Sequence, residues 1–132
     1  MSSKKAAKRN KKKGNKAEAK AAANITKFVV AASNGDCSAI TRHIDSGVDI
    51  NALVEMKDTS GKLLRATALY RAVTNMQEAA IQLLLNHGAN PNLANSRGGT
   101  PLMAAAGKGS LPLLRMLLEA RVKINAVDKV GN

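Results

Sequence analysis

Thr67-Ala68-Leu69-Tyr70 returns 33 positions later as Thr100-Pro101-Leu102-Met103. The period outlasts that one motif. Gly88-Ala89-Asn90-Pro91-Asn92 precedes Arg121-Val122-Lys123-Ile124-Asn125 by the same interval, and "AIQLLLNHGANPN" matches "LLRMLLEARVKIN" in the same phase. A chain that repeats itself in this way folds as stacked copies of one small unit, because no single copy can cover its own apolar faces.

The stretch "GTPLMAAAGKGSLPLLRMLLEA" (Gly99 to Ala120) shows how one unit is built. Thr100 is placed to cap a helix whose first residue, Pro101, needs no N–H. Ala104, Ala105 and Ala106 keep that helix thin, so a neighbour can approach closely. Gly109 breaks the chain, Ser110 is placed to cap a second helix, and Pro112 is tolerated in its first turn. Leu113, Leu114, Met116, Leu117 and Leu118 give that helix a broad apolar face. One unit earlier, Gly88 supplies a left-handed turn after Leu83, Leu84 and Leu85.

A 33-residue period, a Thr-Pro-Leu start, an alanine pair and a later leucine run resemble the ankyrin repeat from Asn24 to Asn132. The resemblance implies an all-α solenoid of helix-turn-helix units joined by hairpin loops. The units are expected at about 24–53, 54–94 and 95–127, with an incomplete fourth from 128. The first unit is divergent, with Arg42-His43-Ile44 at the position of the leucine run, which suits a wetted outer face. The step from Asn51 to Thr67 is twice the step from Asn92 to Thr100. The extra residues, near 55–64, are expected to lengthen the finger between units one and two. Arg121 stands where Gly88 stands one unit earlier, and holding it left-handed would cost about 1 kcal/mol. Without a fourth unit, Leu102, Met103, Leu114 and Met116 are expected to stay partly in water. Self-association through that uncapped C-terminal end follows as an expectation.

Charge separates the chain into two parts. Residues 1–20 carry nine basic side chains and Glu18, or +8 of the total +12, which leaves +4 for everything after them. Residues 1–23, rich in Lys and Ala, lack apolar periodicity and are expected to be a disordered basic tail. Ala17 to Ala23 has the propensity to extend the first helix. Lys8, Arg9, Lys11, Lys12 and Lys13 form a basic cluster that resembles a nuclear-localisation pattern and suits nonspecific nucleic-acid contact. With Phe28 and Tyr70 as the only aromatics, the tail has no stacking platform for reading bases. Cys37 is alone, so no intramolecular disulfide can form. No apolar run approaches the ~18 residues that would span a membrane, and an intracellular protein, cytoplasmic or nuclear, is expected.

No catalytic, metal or cofactor residues are assigned. His43 and His87 are the only histidines, and His87 falls at a helix end beside exposed carbonyls. Cys37 and His43 lack a third group to complete a nucleophile and its base. Gly98-Gly99-Thr100 and Gly107-Lys108-Gly109 do not match a phosphate-binding loop, and their glycines suit turns. Surface remains as the functional part. By repeat phase Arg71, Thr74, Asn75, Arg97 and Lys108, with the insertion around Lys57 to Lys62, belong to the inner helices and finger tips that face a solenoid's concave side. This basic set matches an acidic or phosphorylated protein partner. Ankyrin resemblance implies non-enzymatic protein binding. The alternatives are nucleic-acid or ribosome association through the tail, or a regulatory N-terminal part of a longer enzyme or channel.

Overall fold

The computed structural model describes residues 22–58 and 60–131. Its elements in chain order are α1 (22–34), α2 (Cys37–Asp45), β1 (Val54–Lys57), β2 (Leu63–Ala66), α3 (Ala68–Thr74), α4 (Glu78–Asn86), α5 (Pro101–Lys108) and α6 (Leu111–Gly131). Successive helices of a unit pack together, as α3 with α4 and α5 with α6. First helix packs on first helix, as α3 on α5, and second on second, as α2 on α4 and α4 on α6.

Local chemistry places the helix starts. The Thr67 hydroxyl accepts from Tyr70 N–H at 3.1 Å, and one unit on Thr100 accepts from Met103 N–H at 3.1 Å. Ser110 does the same for Leu113 at 3.4 Å. These bonds satisfy donors that the helix itself leaves open. The first unit departs from that scheme: Thr26, at the phase of Thr67, donates its hydroxyl back to Ala22 C=O, and helix continues through it. The described part of α1 already begins at residue 22, ahead of Thr26.

Packing follows the repeat. Ala31, Ala72 and Ala105 share one phase and are all buried, which lets the first helices approach closely. Phe28 and Leu69 fill the next position, and Ile40, Ile81, Leu84, Leu113 and Leu117 fill the seam between layers. Each of these larger side chains contributes about 1.5–3 kcal/mol by leaving water. His43 holds the phase of Leu84 and Leu117. It is only half-buried and meets the Phe28 ring edge-on at 6.1 Å, so the first unit turns a wetter side outward.

The insertion forms a β-hairpin. β1 and β2 pair antiparallel, Val54 with Ala66 through Lys57 with Leu63. Polar bonds tie successive units together outside the apolar core. Asn90 N–H donates to Asn51 Oδ1 at 2.8 Å, and Asn75 Nδ2 donates to Ser33 C=O at 3.0 Å.

At the other end the fold differs from the repeat phase. Gly88 takes φ of 93° and closes α4, but helix α6 runs unbroken through Arg121 to Gly131. The run Ala120-Arg121-Val122-Lys123 offers no glycine or proline, and a left-handed arginine would be strained, so helix is the cheaper backbone. Val122 consequently stands 65% exposed, whereas Ala89 at its phase is 1% exposed.

Candidate interaction surface

The five expected contact residues fall into two groups. Arg71, Thr74 and Asn75 share the last turn of α3. Thr74 Oγ1 donates to Arg71 C=O at 2.9 Å, and the Asn75 N–H donates to the same carbonyl at 3.1 Å. Lys108 lies at the phase of Asn75 on the adjoining helix α5 and is exposed. These four therefore form a band across two packed helices. Among the described residues neither Arg71 nor Lys108 makes an ion pair. Two cations thus share one band, with no carboxylate paired to them among the described residues.

Asn75 holds a structural post in that band, because its amide is bonded to the end of α1. Arg97 sits apart, on the finger between units two and three. Its guanidinium donates Nη1–H to Asp58 Oδ2 at 2.6 Å and Nη2–H to Leu63 C=O at 2.8 Å. It clamps the inserted hairpin, and its charge is already matched.

Asp58, which repeat phase does not single out, is the centre of that clamp. Its Oδ1 accepts from Ser60 Oγ at 2.6 Å, Ser60 N–H at 2.9 Å and Lys62 N–H at 2.9 Å. The Ser60 hydroxyl, then the Arg97 guanidinium and then the Lys62 N–H hold this carboxyl well below the usual carboxylate range, against a smaller opposing effect of burial. The sequence signal was present: an Asp two positions before Ser60 and three before Gly61 is turn chemistry. Its distant partner, Arg97, was not readable.

The same finger is stitched to the next one. Ser96 N–H donates to Arg65 C=O at 2.8 Å, and Arg65 N–H donates to Ser96 Oγ at 3.0 Å. The inserted hairpin is thus bonded to the next finger through both Arg97 and Ser96.

At the C-terminal end an open groove of about 460 Å³ is lined by Pro91, Leu102, Met103, Ala106, Leu117 and Arg121, among others. Met103 is 61% exposed, and Leu102, Leu114 and Met116 are half-buried. Lys8, Arg9, Lys11, Lys12 and Lys13 lie outside the described residues. Among the described residues no group of three or more His, Cys, Asp or Glu side chains could hold a metal ion. No helix among them is long and apolar enough to cross a membrane.

Comparison with known proteins agrees with this architecture. Residues 28–128 match the family model of ankyrin repeats in three copies. The chain is 38% identical over 96 residues to the mouse B-cell lymphoma 3 protein homolog, covering 73% of this chain and 20% of that protein. It is 31% identical over 104 residues to the ankyrin repeat protein YahD of Escherichia coli, covering 79% and 48%. It is also 31% identical over 86 residues to the human 2-5A-dependent ribonuclease, covering 65% and 11%. The chain thus spans less than half the length of each of these relatives. Repeat phase, paired helices, finger loops and family match agree, and the chain belongs to the ankyrin repeat family.

Proposed function

We propose that the chain is a non-enzymatic recognition module that binds an acidic or phosphorylated segment of a protein partner. Ankyrin repeats are in general protein-interaction modules without catalysis of their own. The observation that carries the finer reading is the band of Arg71 and Lys108 on adjoining helices α3 and α5, neither of which makes an ion pair among the described residues. The segment would lie on the concave side, across that band and toward the clamped finger. Thr74 would give it a hydroxyl, while Asn75 and Arg97 would keep the surface rigid.

The test is an affinity series on the full chain with one acidic peptide, phosphorylated and unphosphorylated. The phosphopeptide should bind more tightly, and Arg71→Glu with Lys108→Glu should remove about tenfold or more of its affinity, ~1.4 kcal/mol. The tail is unchanged in that variant, so its own attraction for anions cancels. An affinity that did not move on the double substitution would contradict the reading.

The +8 tail supports a second reading, in which polyanion contact gives the module a nuclear or nucleic-acid address. The short share of each relative that the chain covers supports a third, in which it is the recognition part of a longer protein, such as an enzyme or channel. A cytoplasmic or nuclear setting belongs with these proposals.

A further inference from the structure

The inserted hairpin has two edges with different fates. Asp58 N–H bonds Lys62 C=O at 2.8 Å, which fixes the alternation along the ladder. Met56 and Val54 then point their backbone groups at β2, while Glu55 and Lys57 point theirs away. On β2 the same rule turns Arg65 outward, and Arg65 is the residue whose N–H and C=O are engaged by Ser96. The β2 edge is therefore covered by the next finger. On the β1 edge, Glu55 and Lys57 have no backbone partner outside the hairpin among the described residues.

An open edge is a template for another strand, and charged side chains normally guard it. Here the guards match one another. Two copies of β1 placed antiparallel can bond only when outward-facing residues stand opposite each other, so the twofold axis must pass through residue 55, 56 or 57. An axis at Glu55 sets Glu55 against its own copy, and an axis at Lys57 sets Lys57 against its own copy. Both place like charges in contact. An axis at Met56 sets each Glu55 opposite the Lys57 of the second copy, forms four backbone hydrogen bonds and brings the two half-buried Met56 side chains together. Opposite charges directly across a ladder stabilise it.

The flanking residues agree with that register. Arg65 Nε stands 3.9 Å from Glu55 Oε2 on the exposed face. In the joined sheet each Glu55 would lie between Arg65 of its own chain and Lys57 of the other. Leu53 and Leu63, 51% and 60% exposed, share this face by alternation. The clamp from Asp58 to Arg97 holds the edge in shape before any partner arrives.

We propose that β1 is a self-recognition edge, on which a second copy of this chain adds antiparallel with Met56 on the twofold axis. The product is a four-stranded sheet in the order β2, β1, second β1, second β2. This surface is separate from the Arg71–Lys108 band and does not depend on the function assigned to it.

Charge reversal tests the proposal on the full chain at physiological ionic strength, where repulsion between the basic chains is screened beyond ~8 Å. Sedimentation equilibrium should show a concentration-dependent dimer. Lys57→Glu and Glu55→Lys should each weaken it by about tenfold or more, with melting transitions close to wild type. The double substitution Glu55→Lys with Lys57→Glu should dimerise as the wild type does. An equimolar mixture of the two single variants should give a dimer with one copy of each, resolved by mass. Amide exchange at Glu55 and Lys57 should slow by about tenfold as the dimer forms. A chain that stays monomeric to near-millimolar concentration overturns the proposal. So does a double variant as weak as the singles, or a dimer in which those two amides stay unprotected, which would place the contact elsewhere, for instance at the C-terminal groove.

Discussion

Arg97 and Asp58, far apart in the chain, meet at 2.6 Å and join the finger of unit two to the finger of unit three. The same carboxylate organises its own turn through Ser60 and Lys62. One acidic side chain thus shapes the hairpin and anchors it. Arg97→Ala should free the hairpin while leaving the helical layers paired. Faster amide exchange confined to residues 55–65, with little change in overall helicity, is the expected outcome.

The clamp also sets a pH dependence. Asp58 has a folded-state pKa held below its unfolded value, so it binds its proton less readily when folded. Its contribution is present above about pH 4 and is lost progressively as the pH falls below that, since the unfolded chain takes up the proton first. Denaturation midpoints compared at pH 5 and pH 3 should fall for the wild type. Asp58→Asn should lower the midpoint at pH 5 and flatten the difference between the two.

Met76 occupies a left-handed turn between α3 and α4 with φ of 55°. Its counterparts in phase are Gly35 at 73° and Gly109 at 68°. A side chain in that region is strained, whereas glycine is not. Met76→Gly should therefore stabilise the domain by about 0.5–1 kcal/mol after the greater freedom of unfolded glycine is counted. Gly35→Ala should cost about 1–2 kcal/mol, because the new Cβ would also meet the Gln77 side chain. Chemical denaturation of both variants checks the pair, and equal effects of one sign would contradict the strain argument.

Asn75 separates a structural role from a contact role. Asn75→Ala removes the bond from Nδ2 to Ser33 C=O and should cost about 1 kcal/mol. The loss should appear first as faster exchange at the end of α1, across the joint between units one and two. An unchanged melting transition would argue that the bond contributes nothing.

How far these features could be read beforehand depended on the range of the interaction. Thr67, Thr100 and Ser110 cap helices through bonds to the third residue on, and such local chemistry repeats visibly in the sequence. The extra residues before Thr67 announced a longer finger by their number alone, and Asp58, Ser60 and Gly61 carried its turn. What locks the finger, Arg97, belongs to another unit, and it was expected as a free contact residue because phase says nothing about side-chain partners. Arg121 shows the reverse limit. Its phase pointed to a turn, but a turn needs a residue that tolerates it, and local helix preference prevailed. Among the expected contact residues, phase gives the positions of Arg71 and Lys108 on adjoining helices, but it gives no sign of the bond that ties Asn75 to α1.

Mapping a bound peptide on the surface tests the central claim most directly. Isotope-labelled full chain, titrated with a phosphoserine-containing acidic peptide, should show saturable shifts centred on Arg71, Thr74 and Lys108. Those shifts should weaken with the unphosphorylated peptide. Shifts centred instead on the second helices α2 and α4, or confined to the basic tail, would contradict it.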